Sequence, residues 1–199
     1  MCNLYRMDVA VREVAKLFGV EAPEGLNAAE EIYPGYPGVV SDGDQVGQMT
    51  WGFPLARKGK QGQPLKPKPV NNTRTDKLKS PFWKASFVNR RCLIPMTRFA
   101  EAEGPRGKMT RTWFSNPDGE LLFAAGIWRG SDEWGACYSM LMTDANDTVA
   151  PVHDRMPVIL ERGAWDQWFS GTPDEAFSLC RPFKGVLEMD RTNDLWVRR

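Results

Sequence analysis

Six short strand-like runs, set apart by turn-rich stretches and interleaved with only a few helical patterns, constrain this chain more than any other feature. They lie at residues 48–53, 92–102, 108–114, 121–128, 136–143 and 156–160. Apolar and β-branched residues bounded by Gly, Pro, Asn and Asp are what half-buried strands require. Asn116-Pro117-Asp118-Gly119 reads as a hairpin turn between two of the runs. Helical spacing appears at residues 8–18, 79–88, 162–169 and 174–180. Asp8 is placed as N-cap of the first, with Gly19 to stop it, and Thr172-Pro173 open the last as N-cap and first helical residue. Residues 20–46, with Tyr33-Pro34-Gly35-Tyr36-Pro37-Gly38, read as a turn-laden loop. The expected fold is α+β: a single compact domain over residues 1–199, mainly antiparallel, barrel-like β-sheet with flanking short helices.

A chain of 199 residues is long enough to bury about 70% of its unfolded surface. With 42% hydrophobic and 26% charged residues its balance is that of an ordinary globular protein. No apolar run approaches the ~18 residues of a membrane span, and the N-terminus lacks a signal-peptide core, so a cytoplasmic protein without membrane contact is expected. Cys2, Cys92, Cys137 and Cys180 form no C-x-x-C pair, and His153 is the single histidine. Reduced thiols and no metal or other cofactor are therefore expected. The net charge of +1 conceals an asymmetry. Residues 57–91 hold eleven lysines and arginines against Asp76 alone, and they read as a loop-rich surface suited to phosphates. A solvated loop without a partner is the competing reading.

Cys2 follows the initiator methionine. Once Met1 is removed, it carries an amine and a thiol on adjacent carbons, a 1,2-aminothiol that closes on aldehydes as a five-membered thiazolidine. An α-amine of pKa ~8 is about one-quarter unprotonated at pH 7.5, whereas a lysine near ~10.4 is about one part in a thousand. The terminal amine is thus the better carbonyl nucleophile. In Asn71-Asn72-Thr73-Arg74-Thr75-Asp76, an asparagine can orient an amine and an arginine can grip a phosphate with two parallel hydrogen bonds. Arg90 and Arg91 are further phosphate candidates, and Trp51 is a candidate to stack on an unpaired base. Glu101 follows Phe99-Ala100 on a strand, where partial burial would raise its pKa toward acid–base use, although an outward-facing glutamate fits equally. His153, at an element boundary, is the one side chain whose ordinary pKa suits proton transfer near neutrality.

Together these segments resemble the SOS response-associated peptidase (SRAP) family of abasic-site crosslinking proteins. The resemblance rests on Met1-Cys2-Asn3, Trp51-Gly52-Phe53-Pro54, Asn72-Thr73-Arg74, Arg91-Cys92-Leu93-Ile94-Pro95, Glu101 and His153-Asp154-Arg155-Met156-Pro157-Val158-Ile159-Leu160. It implies that Met1 is cleaved and that Cys2 forms a thiazolidine with the aldehyde of an abasic site in single-stranded DNA. Asn72 would sit beside the N-terminal residue and Arg74 on a phosphate; Glu101 would assist ring opening and His153 would act near the sugar hydroxyls. The expected state is a monomer that self-processes. Two stretches depart from the family's common pattern: Ala102 stands where a tryptophan often follows the glutamate, and Cys2-Asn3-Leu4-Tyr5 replaces Cys-Gly-Arg. A thiol peptidase acting on other proteins, or a non-catalytic single-strand binder, remains the alternative.

Overall fold

The computed structural model describes residues 2–26 and 29–196. Along the chain run β1 (Leu4–Arg6), α1 (Val11–Phe18), β2 (Glu31–Ile32), β3 (Pro37–Ser41), β4 (Val46–Trp51), β5 (Phe53–Lys58), β6 (Pro64–Val70) and β7 (Asn72–Arg74). There follow α2 (Pro81–Asn89), β8 (Arg91–Met96), β9 (Arg98–Glu103), β10 (Thr110–Ser115), β11 (Leu122–Ser131), β12 (Gly135–Asp144), β13 (Arg155–Pro157), α3 (Trp165–Ser170), α4 (Pro173–Ser178) and β14 (Glu188–Leu195). Strands β11, β8, β3, β4 and β12 pair in that order, and β12 pairs back onto β11, closing a five-stranded barrel. A second sheet in the order β14-β10-β9-β1-β2 packs against it, and β5 with β6 forms a separate two-stranded ribbon. Among the described residues no helix is long and apolar enough to cross a membrane.

The α+β, barrel-like expectation agrees with this architecture. The barrel is mixed, since β12 runs parallel to both β4 and β7. Alternation along the strands splits the core in two. On β11, Phe123, Ala125 and Ile127 face a cluster with Trp83, Trp165 and Trp168 from the helices. Its neighbours Leu122 and Ala124 face the opposite cluster, with Phe99 and Phe114 of the second sheet. Trp168 is wholly buried and its indole N–H donates to the Cys92 carbonyl at 3.0 Å, so both its ring and its polar edge are satisfied. Truncating such a side chain to alanine costs about 3–5 kcal/mol.

The boundaries differ from the sequence reading where a physical reason can be named. The run at 48–53 breaks at Gly52, whose φ of 125° is open to glycine and where a Cβ would lie 2.5 Å from the Pro69 Cβ. The run at 92–102 is two strands in two different sheets, joined at Thr97. Asn116–Gly119 does form a turn, with the Asp118 amide donating to Asn116 Oδ1 at 2.8 Å, but it carries the chain from β10 to β11, which belong to different sheets, and closes no hairpin. Residues 20–46 contain β2 and β3, and the basic stretch expected as loop-rich holds the ribbon and β7, while the helix expected at 79–88 is present as α2. Helix α1 starts at Val11 with Ala10 in the N-cap position and no side-chain cap, so Asp8 does not cap it. Gly19, at φ 70°, does end it. Thr172 and Glu175 form the reciprocal capping box of α4, with Pro173 in its first turn.

Candidate functional site

Four chain segments converge on Cys2. Strand β1 pairs with β9, placing Leu4 opposite Ala100, so the chain preceding Leu4 runs along the Glu101 end of β9. Strand β7 pairs with β12, placing Asn72 opposite Met140. Strand β13 pairs with the far end of the same β12, with Arg155 opposite Asp144, and His153, two residues before Arg155, lies close enough to the amino terminus for that charge to help lower its pKa.

Cys2 is fully buried and its thiol donates to the Leu4 carbonyl at 3.5 Å. Its carbonyl oxygen accepts from Asn72 Nδ2 at 2.6 Å and from Asn71 Nδ2 at 3.1 Å. Burial pushes the thiol far above the usual cysteine range, and the nearby Glu101 carboxylate adds to the push. The resting sulfur is therefore a neutral thiol, reactive only once a proton acceptor or an activated carbon is presented to it.

Glu101 is 2% exposed, on the inner face of β9 opposite Thr112. Burial raises its carboxyl to about 7, with the cationic amino terminus pulling the other way and the Asp154 carboxylate adding to the rise. A carboxyl at that value exchanges its proton near neutrality, as general acid–base work requires. The sequence left open whether this glutamate faces inward; it does.

His153 is partly buried. Its Nδ1 accepts the Arg155 N–H at 2.9 Å, which places the proton of the neutral ring on Nε2. Burial lowers its pKa, while Asp154, whose Oδ1 lies 3.0 Å from Nδ1, opposes that. At neutral pH the imidazole is accordingly uncharged.

The phosphate candidates separate. Arg74 is half-exposed at the end of β7 and engages Asp76 through two parallel hydrogen bonds. Arg90 donates from Nε to the Trp128 carbonyl at 3.1 Å, and none of its described contacts involves Cys2, Asn72, Glu101 or His153. Arg91 corrects the sequence reading. It is 8% exposed and spends its guanidinium on the carbonyls of Phe87 at the end of α2 and of Phe169 and Gly171 at the end of α3. An arginine so enclosed holds helix ends together and offers nothing to a phosphate. Trp51 corrects it as well: it is fully buried, edge-on to Tyr5 at 5.1 Å and parallel to Tyr138 at 6.4 Å, so no base can stack on it.

Sequence reasoning passed over Asn71 as a member of the site. The tandem Asn71-Asn72 was its only visible signal. The expected loss of Met1 lies outside the described residues.

A family model described as SOS response associated peptidase (SRAP) matches residues 1–194. The chain is 24% identical over 208 residues to the abasic site processing protein YoaM of Bacillus subtilis, covering 92% of this chain and 86% of that protein. It is 26% identical to YoqW of the same organism, with 92% and 88% covered. The abasic site processing protein YMR114C of Saccharomyces cerevisiae is 28% identical over 120 residues, 56% of this chain and 33% of its own length. Crystal structures of a Bacteroides thetaiotaomicron protein (TM-score 0.78, 18% identity, 96% of this chain and 91% of that one) and a Bordetella bronchiseptica protein (TM-score 0.77, 22% identity, 96% and 99%) share the fold.

Proposed function

This chain belongs to the SRAP family, and from that membership, together with the site around Cys2, we propose that it processes abasic sites in single-stranded DNA by covalent capture. The relatives named as abasic site processing proteins support the substrate. The observation that carries the chemistry is the buried Glu101 carboxyl, held near neutrality beside the Cys2 thiol.

In the proposed sequence, hydrolysis first frees Cys2: water supplies hydroxyl to the Met1 carbonyl carbon and a proton to the Cys2 nitrogen. Protonated Glu101 gives its proton to the sugar ring oxygen, and the hydroxyl on C1′ loses one as the ring opens to the aldehyde. The Cys2 amine attacks that carbon, and the carbonyl oxygen leaves as water, giving an imine. The thiol then adds to the same carbon, its proton passing to the nitrogen, which closes the thiazolidine. Asn72 holds the nucleophile, and neutral His153 serves the sugar hydroxyls. Arg74 takes a phosphate, and the ribbon cations Arg57, Lys58, Lys60, Lys66 and Lys68, with no acid between residues 53 and 70, follow the backbone. An abasic nucleotide in a single strand has no pair to break, so a shallow site suffices.

The test is intact-mass analysis after incubation with an abasic oligonucleotide. Wild-type protein should appear without Met1 and shifted by the oligonucleotide less one water, as a heat-stable adduct. Cys2→Ala should give only a transient imine. An unshifted wild-type mass, or a heat-stable Cys2→Ala adduct at wild-type yield, overturns the reading.

A further inference from the structure

The Cys2 carbonyl oxygen receives two side-chain amides, from Asn71 and Asn72. Successive residues of a strand point to opposite faces, so two neighbours should not reach one atom. They do because Asn71 is the single residue between β6, which ends at Val70, and β7, which starts at Asn72, and the alternation breaks there. The Asn71 amide also donates to Asn3 Oδ1 at 3.1 Å, spanning the peptide unit that follows Cys2.

The backbone of Asn71 is itself pinned. Its carbonyl accepts from the Trp51 indole N–H at 2.9 Å and from the Met140 amide at 2.9 Å, filling both lone pairs. Trp51 is fixed in turn between Tyr5 and Tyr138, whose hydroxyls share a 2.5 Å hydrogen bond. A rigid path therefore leads from the barrel core to the carbonyl of Cys2.

We propose that Asn71, with Trp51 behind it, is a positioning residue for the Cys2 nucleophile. This rests on the function proposed above. A terminal residue is tethered on one side only, and rotation of its peptide plane swings amine and thiol together. Two donors on one carbonyl remove that rotation and leave both groups aimed at one carbon, the condition under which oriented reactants gain most. The pair of donors also withdraws electron density through the carbonyl from the adjacent amine, which favours its neutral, nucleophilic form. The two asparagines divide the work. Asn72 Oδ1 is buried with no partner among the described residues and can take an N–H of the amine, whereas both described bonds of the Asn71 amide are donated.

The experiment compares wild type, Asn71→Ala, Asn71→Asp and Trp51→Phe, each with Met1 removal verified by mass. Two aldehydes are used, an abasic oligonucleotide and free glyceraldehyde, and rate constants are taken from pH 6 to 9 beside DNA affinity. Asn71→Ala should slow capture of both aldehydes about ten-fold with unchanged DNA affinity, and move the rate profile to higher pH. Asn71→Asp, of the same shape without donors and with a negative charge, should move it further. Trp51→Phe should give a smaller loss that does not add to that of Asn71→Ala. A merely structural role would lower the reactive fraction and leave both the rate constant of the remainder and the profile unmoved, and that result overturns the proposal. So do wild-type rates in both Asn71 variants. If wild-type protein captures neither aldehyde, the assignment of Cys2 as nucleophile fails, and the proposal falls with it. Capture of glyceraldehyde alone, still dependent on Asn71, upholds the positioning role while removing the DNA substrate.

Discussion

Arg74 and Asp76 face each other through two parallel hydrogen bonds, Nε to Oδ1 at 2.9 Å and Nη2 to Oδ2 at 2.7 Å. The guanidinium fork proposed to hold a DNA phosphate is thus occupied by an internal carboxylate of matching geometry. With both side chains about half-exposed, the pair is readily displaced.

Asp76→Asn should therefore tighten binding of single-stranded DNA about three-fold to ten-fold, by removing a competitor and a repulsive charge. Arg74→Ala should weaken binding and reduce the logarithmic salt slope by about 0.7, one phosphate contact on a single strand. Isotherms at several salt concentrations measure both. Equal affinity in all three proteins would mean that Arg74 meets no phosphate.

Glu101 links pH to both rate and stability. Its carboxyl, raised by burial to about 7, is protonated in the folded state where an exposed glutamate is already ionised. Its contribution to stability is thus complete below the ordinary glutamate range and is lost as pH rises from there through about 7. Glu101→Gln, neutral throughout, should gain stability relative to wild type at pH 8, by up to about 3 kcal/mol, and little at pH 4.5. The same variant should slow adduct formation about 10²–10⁴-fold. His153→Ala should also slow it without weakening binding to undamaged DNA. Urea titrations at two pH values and single-turnover rates check each part; wild-type rates in both variants would remove the acid–base assignment.

Arg91 makes a contrasting prediction. Its guanidinium serves carbonyls at the ends of α2 and α3, so Arg91→Met should destabilise the protein by about 2–4 kcal/mol and leave the DNA salt slope alone. Denaturant midpoints beside binding isotherms separate the two effects. A flattened slope at unchanged stability would return Arg91 to the phosphate contacts.

The strands visible in the sequence were those whose apolar residues define a buried face, such as β11 and β12. Strand β14 was invisible because Glu-Met-Asp-Arg-Thr-Asn-Asp-Leu is mostly exposed at a sheet edge and carries no apolar rhythm. The ribbon escaped for the same reason, its Lys-Pro alternation facing solvent. The division of residues 92–102 into two sheets has no local marker, because Thr97 is neither Gly nor Pro. Among the site candidates, Cys2, Asn72, Glu101 and His153 carry their chemistry in their identity and could be named without coordinates. Trp51 and Arg91 could not be placed, since what encloses them lies far along the chain: Arg91 bonds carbonyls 78 and 80 residues away. Asn71 was hidden by its neighbour, the alternation rule giving no reason to expect two adjacent amides on one oxygen.

Strand β12 works as a ruler with both of its edges in use. Met140 sets the position of Asn72 and Asp144 that of Arg155, next to the His153 loop. One residue added between these marks would shift one half of the site against the other and turn the intervening side chains over. The ribbon, by contrast, leaves and returns through Phe53 and Val70, which pair with each other. Its tip can grow or shrink for about 0.6 kcal/mol per doubling of loop length, with no change in the distance between Cys2 and its partners. The scaffold is therefore intolerant of indels along one strand and permissive at one hairpin.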